Sequence, residues 1–392
     1  VGHSFFSNTD GMTKRILIFS LAYYPHVGGA EVALKEITDR IRDIEFHMLT
    51  LNFGGEAMEE KIGNVFVHRI GNGSSYVQKI LFIPRAAFEA ARLHHTRPFD
   101  AFWAMMSYMM FPIVLLRAHG IRVPYLLTLQ EGDPWEHMFN RWFILPFRPL
   151  LVAGFKHAAA VQAISHHLLL WTRRMGFQGM GIVIPNGVNT KHFANANAII
   201  LGKGEDETLL IHTGRLVHKN ALDTVIRALA LLPERVHFFM IGEGPDKNAL
   251  AELSRILNVS KRVHFHSFVP NEDLPNYLKA CEIFIRPSRS EGMGNSFIEA
   301  MAAGLPVIAT QEGGIADFLF DAKRNPDKET TGWAVDKDSP KQIAEAVNNI
   351  LAHPEQVVRV TATAKKMVVE NYDWDGIADK MKMLFDRLFE NR

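Results

Sequence analysis

Short apolar runs alternate with stretches of helical period along nearly the whole chain. KRILIFSL, FHMLTL, NVFVHRI, DAFWAM, PYLLTL and AAAVQAIS occupy the first half, and LLIHTG, VHFFMIG, RVHFHSF, EIFIRPS and PVIAT the second. Brief runs of this kind, closed by Gly, Pro or polar residues, read as strands. Between them the apolar residues recur every three to four positions, as at Ala33, Ile37 and Ile41, which gives one buried helix face. Strand and helix in alternation predict an α/β protein with parallel sheets and crossover helices. The pattern breaks once: after IPNGVNTKHF comes the polar, irregular ANANAIILGKGEDE, and a fresh strand starts at Leu209. Two Rossmann-like domains are therefore expected, over 12–190 and 205–374. NYDWDGIADKMKMLFDRLFE then closes the chain as an amphipathic helix.

Composition narrows the classes. At 392 residues and 47% hydrophobic content, the chain can bury two cores. A net charge of +1 gives no overall nucleic-acid footprint. The single cysteine, Cys281, excludes an intramolecular disulfide framework and suits a reducing cytoplasm. No spanning helix is expected, because Arg, Lys, Pro or His interrupts each apolar stretch before about 18 residues. Residues 1–11 are polar, lack a signal-peptide core, and read as an extension ahead of Met12. Eighteen histidines include His94-His95 and His166-His167, yet no H-E-x-x-H or Cys/His cluster points to a metal, and no cofactor is expected.

The richest segment is SEGMGNSFIEAMAAGLPVIAT, Ser290 to Thr310. A strand ending near Pro287 leads through a glycine-bearing loop into a helix that stops at Gly304. Gly292 and Gly294 let the backbone approach a ligand, and the amides of Met293, Gly294 and Asn295 can face an anion at the helix start. Glu291 on the loop and Glu299 one turn into the helix are acceptors suited to paired hydroxyls, one for a sugar and one for a ribose. The plainer alternative is a helix-capping Glu299 and an ordinary loop charge at Glu291. Upstream, HTGRLVHKN places Arg215 and Lys219 directly after a strand, where two cations can stabilise a departing diphosphate or simply face water. YYPHVGGAEV places Gly28 and Gly29 at a helix N-terminus, as an anion-facing turn or a mere connection. VHFFMIGEGPDK begins like a dinucleotide fingerprint, but Pro245 intervenes and the third glycine is missing, so NAD use is not expected.

These motifs, in this order and over nearly the whole chain, resemble the retaining GT-B glycosyltransferases of group 4, whose E-x7-E region the Glu291 to Glu299 segment matches. The resemblance implies two Rossmann-like domains facing across a cleft, with the C-terminal helix, 375–392, crossing back to the first. The first domain would bind the acceptor and the second the nucleotide sugar. Arg215, Lys219 and Glu291 would then be the catalytic groups, with Arg215 and Lys219 on the diphosphate. Glu299 would hold the ribose, and Glu291 with Met293, Gly294 and Asn295 the sugar. Gly28, Gly29 and Gly214 would line the donor, and backbone groups of Phe268 and Val269 would meet the base.

PYLLTLQEGDPWEH departs from the family, many of whose members carry a His-Asp pair here. Gln130 can bond a hydroxyl but is no base. Asp133 is either an acceptor-orienting group or an N-cap ahead of Pro134. The turn at Asn186-Gly187 resembles the family's N-G-V turn and is expected to be structural, with some contact to the site. The implied activity is metal-independent, retaining transfer of a hexosyl unit, from a UDP-sugar before GDP-mannose, to a hydroxyl on a glycan or lipid-linked glycan. The alternatives are a sugar-nucleotide epimerase and a catalytically silent nucleotide-sugar-binding protein. The basic and aromatic segments KILFIPRAAFEAARLHH and WEHMFNRWFILPFRPLLVAGFKH either pack on the sheet or rest on a bilayer at the inner membrane face.

Overall fold

The computed structural model describes residues 13–390, so the extension read at 1–11 and Met12 lie outside the described residues. The chain packs into two compact units. One takes in the chain up to Thr128, Leu150–Ala160 and the chain from Lys382 onward; the other takes in Leu129–Pro149 and Val161–Met381.

In the first unit the strands are β1 (Lys14–Phe19), β2 (Ile44–Leu51), β3 (Glu59–Ile62), β4 (Val65–Ile70), β5 (Ala101–Met105) and β6 (Tyr125–Leu129), side by side in the order β3-β4-β2-β1-β5-β6. All neighbours are parallel except the antiparallel β3 and β4. Ile16 of the central β1 lies level with Phe46 and Ala101. Because parallel strands carry helices on both faces, they lose the in-out alternation and become apolar throughout. Residues Ile16 to Phe19 and Phe102 to Ala104 are accordingly fully buried. The helix Gly29–Arg40 follows β1 and buries Ala33, Leu34, Ile37 and Thr38. The chain's last helix, Trp374–Glu390, delivers Phe385 to this unit, its ring 5.1 Å from Trp103 and 6.0 Å from Phe46. This helix from Lys382 onward belongs with the first unit.

The second unit follows the same logic. After β7 (Ala160–Ala163) and β8 (Met180–Val183) come β9 (Thr208–Thr213), β10 (Val236–Ile241), β11 (Val263–His266), β12 (Ile283–Arg286), β13 (Val307–Ala309) and β14 (Trp333–Ala334). The last six form a sheet in the order β11-β10-β9-β12-β13-β14, and every neighbour is parallel. Val225, Ile226 and Leu229 of the helix Leu222–Leu229, with Ile343 and Val347 of the helix Pro340–Ala352, share one core with Leu210, Phe238, Ile285 and Ile308. Each such side chain contributes ~1.5–3 kcal/mol when fully buried.

The strand order sets the site. From β9 the chain moves outward through β10 and β11, then returns to β12 on the other side of β9 and moves outward again. The loops leaving β9 and β12 therefore diverge, and an open α/β sheet binds ligands at the carboxyl ends of its strands where the order reverses.

Candidate active site

At the end of β9, Gly214 adopts φ 131°, a backbone conformation that favours glycine. Arg215 follows, exposed, with no hydrogen bond or ion pair to its side chain among the described residues. Its carbonyl is held by Asn220 Nδ2 at 2.6 Å, which closes the loop on itself. The 3₁₀ turn His218–Asn220 then presents Lys219, whose Nζ is 3.7 Å from Asp133 Oδ1. Arg289 clamps that turn from the neighbouring loop. Its N–H donates to the Lys219 carbonyl at 2.7 Å and its Nη1 to the His218 carbonyl at 2.6 Å, while Asp223 and Asp338 hold the guanidinium at 2.9 and 2.7 Å. The glycines of the G-x-G-P turn have a role in the same place: a Cβ on Gly242 or Gly244 would come within 2.1 Å of the Gly214 or Leu216 carbonyl. They permit close packing under the Arg215 loop, with no dinucleotide fingerprint required.

At the end of β12 stands Arg286, a residue that reading the sequence for function passed over. Its side chain is 8% exposed, and its Nη2 donates to Glu291 Oε2 at 2.6 Å. Nη1 donates to Ser296 Oγ at 2.8 Å, and the guanidinium lies 4.3 Å from the centre of the Phe297 ring. The other Glu291 oxygen accepts from the Gly292 amide at 3.1 Å. Glu291 is thus an oriented carboxylate with lone pairs to spare, since each oxygen can accept twice. The helix Asn295–Ala303 begins on Gly294, at φ 87°, and among the described residues the N–H groups of Met293, Gly294 and Asn295 have no acceptor. Three unspent donors at a helix start favour an anion or a hydroxyl oxygen.

Glu299 differs in kind. It is half-buried on the helix, and burial pushes its pKa up to about 7 against the pull of Arg286. On β9, His212 is fully buried, with the backbone of Gly214 and Arg215 and the Arg286 guanidinium near its ring. Burial first, and the Arg286 charge second, push its pKa down to about 3.

The loop after β6 joins this cluster. Gln130 and Asn186 exchange amide hydrogen bonds at 3.1 and 3.2 Å, and Asn186 Nδ2 also donates to Asn295 Oδ1 at 3.1 Å. An amide ladder thus runs from Gln130 to the start of the helix Asn295–Ala303, and the Asn186 turn, expected to be structural with some contact to the site, lies against it. Asp133 does not cap a helix. Pro134 is the N-cap of the short helix Trp135–Phe139, and Asp133 faces Lys219 instead. Gly132 lies between the two ends of the site: a Cβ there would meet Lys219 Nζ at 2.5 Å and Glu291 Oε1 at 3.4 Å. Gly292, Gly313 and Gly314 allow three more backbone approaches, to the carbonyls of Glu131, Glu291 and Gly292 at 2.2, 1.9 and 1.9 Å from a Cβ.

Of the remaining expected residues, Phe268 is 68% exposed and Val269 buried, past the end of β11. Gly28 and Gly29 lie in the first unit, where Gly28 is the N-cap of its helix. The Gly28 amide, expected to be free for a ligand, is taken by Glu31 Oε2 at 2.8 Å.

Two cations, two carboxylates and three unspent amides in the loops at this strand reversal suit a diphosphate carrying hydroxylated groups. Two family models match: "Glycosyl transferase 4-like domain" over residues 28–187 and "Glycosyl transferases group 1" over residues 195–367. The chain belongs to the group 1, GT4-type glycosyltransferases and has their GT-B fold.

Among the relatives is the GDP-mannose-dependent alpha-(1-6)-phosphatidylinositol monomannoside mannosyltransferase of Mycolicibacterium smegmatis. It is 30% identical over 207 residues, 49% of this chain and 52% of the relative, so the chain aligns with about half of that protein. Sucrose-phosphate synthase from Thermosynechococcus elongatus superposes with a TM-score of 0.83 at 20% identity, covering 97% of this chain and 100% of that one. Anabaena Alr3699/HepE, solved in complex with UDP-glucose, gives a TM-score of 0.77 at 19% identity, with 95% and 99% covered. The chain is a glycosyltransferase.

Proposed function

We propose that this glycosyltransferase transfers a hexosyl unit, with retention and without a metal, from a UDP-sugar to a hydroxyl of a glycan or lipid-linked glycan. GDP-mannose is the second donor to consider. The observation that carries the reading is the convergence of Arg215 and Lys219 with Glu291, Glu299 and the Met293 to Asn295 amides at the reversal between β9 and β12. Arg215 and Lys219 neutralise the leaving diphosphate, the charge a metal would otherwise carry. Glu299 takes the ribose, and Glu291 with the helix-start amides takes the sugar. The donor thus falls to 205–374 and the acceptor to 12–190. Donor choice leans on relatives: HepE was solved with UDP-glucose, and the mycobacterial enzyme is named for GDP-mannose.

A thermal-shift panel of UDP-, GDP- and ADP-sugars tests this reading. A ligand at 100 times its Kd stabilises the fold by ~2.7 kcal/mol, and UDP-glucose is expected to give the largest rise. No rise with any of the three classes sinks the proposal.

No helix among the described residues is long and apolar enough to cross a membrane. We propose instead a peripheral contact. The helix Tyr76–Thr96 leaves Tyr76, Val77, Ile80 and Phe88 between 53% and 75% exposed, interleaved with Lys79, Arg85 and Arg92, and Trp142 is 82% exposed. Core packing accounts for Trp135 and Phe139, whose rings lie 5.4 and 5.5 Å from Trp171, but not for these. Anionic liposomes are expected to co-sediment the protein at low salt, and Phe88→Ser should reduce the bound fraction several-fold. Failure to bind at low salt removes the membrane from the account.

A further inference from the structure

A guanidinium buried at the end of a central strand is costly unless every part of it is matched. Arg286 is not matched by its own sheet. Its Nε has no hydrogen-bond partner among the described residues. All of its bonds run the other way. Nη2 reaches Glu291, immediately before the segment Gly292–Asn295, and Nη1 reaches Ser296, immediately after it. The guanidinium face covers Phe297, one residue further on. A single rigid fork thus clasps both ends of the four residues that carry the unspent amides. Gly294 lies inside the clasp, and a Cβ there would come within 2.5 Å of Nη2, so any side chain would push the fork off Glu291.

We propose that Arg286 is a positioning residue for donor binding: it fixes the Glu291 carboxylate and the first turn of the helix Asn295–Ala303 in one geometry. The role rests on the reading that Glu291 and these amides hold the sugar of the donor. A lysine cannot replace it, because one ammonium lacks the planar fork that reaches two acceptors at a set angle. The charged and titratable groups facing Arg286 are Glu291 on the loop, Glu299 on the helix and His212 on β9. Of these, Glu299 depends on Arg286 for part of its acidity. Removing Arg286 therefore raises the pH at which Glu299 becomes the carboxylate that a ribose hydroxyl requires.

The test is calorimetric binding of UDP-glucose against UDP, and of GDP-mannose against GDP, to wild type, Arg286→Lys and Arg286→Met. Circular dichroism reports folding. Both variants are expected to bind the sugar nucleotide about tenfold more weakly while binding the bare diphosphate within about threefold of wild type. The bare nucleotide engages Arg215 and Lys219, which Arg286 does not touch, so general loss of structure would weaken both ligands alike. In Arg286→Met the pH midpoint of sugar-nucleotide binding should also move upward. In a Glu291→Gln background, Arg286→Met should add little, because the residue it acts through is already lost.

If Arg286→Met does not fold, Arg286→Lys carries the test through the same split. Unchanged sugar-nucleotide affinity in a folded variant, or equal weakening of both ligands, overturns the role. Wild type that binds neither sugar nucleotide removes the reading of the site and this role with it.

Discussion

Lys219→Ala and Arg215→Ala are each expected to lower kcat by about 10²-fold. The leaving diphosphate gains charge as the glycosidic bond breaks, so a fixed cation binds the transition state more tightly than the bound donor. The two side chains are placed differently. Arg215 stands exposed and unpaired after β9, whereas Lys219 sits on a turn clamped by Arg289 and 3.7 Å from Asp133. Neither is a folding contact of consequence: a part-exposed ion pair such as Lys219 with Asp133 contributes ~0–1 kcal/mol. The loss should therefore fall on turnover while the melting temperature stays within a few degrees. Steady-state kinetics on the donor identified by thermal shift makes the measurement, and near-normal turnover in either alanine variant refutes the role.

The fold and the site were legible to different extents. The alternation of apolar runs and helical period foretold both parallel sheets, because strands covered on two faces must be apolar along their length. β3 was missed for the converse reason. EEKI is an exposed, antiparallel edge strand, and an edge needs no hydrophobic pattern. Glu291 and Glu299 stand out by their spacing across a strand-to-helix loop, and Arg215 and Lys219 by their place in the loop after a strand. Arg286 does not, since a lone charge in EIFIRPS reads as the close of an apolar run. Its signal was the cation itself at an otherwise buried position, with carboxylates 5 and 13 residues downstream. The ladder from Gln130 through Asn186 to Asn295 joins residues 56 and 109 positions apart. No local pattern announces contacts between neutral amides so distant in the chain.

The second large effect concerns pH and sets the buried His212 against the half-buried Glu299. His212 has its pKa pushed down to about 3 from an ordinary 6.5, so the folded state resists a proton that the unfolded chain accepts. Its contribution to stability is complete above pH 6.5 and is lost as pH falls towards 3, by ~3 kcal/mol at pH 4. Glu299 has its pKa pushed up to about 7 from an ordinary 4.5, and the sign reverses. Its contribution is complete below pH 4.5 and is lost as pH rises through 7, again by ~3 kcal/mol. Between pH 7 and 4.5 the two nearly cancel, and wild type should melt at a similar temperature across that window as far as these groups are concerned. Glu299→Gln leaves His212 unopposed, so the variant should lose roughly 5 to 10 °C relative to wild type between pH 7 and 4.5. His212→Asn leaves Glu299 unopposed and should gain by a similar amount over the same interval, whatever its absolute stability. Calorimetric melting of the three proteins at half-unit pH steps separates the slopes from the packing cost of each substitution. Parallel curves for all three would show that neither group titrates in the folded protein as its surroundings require.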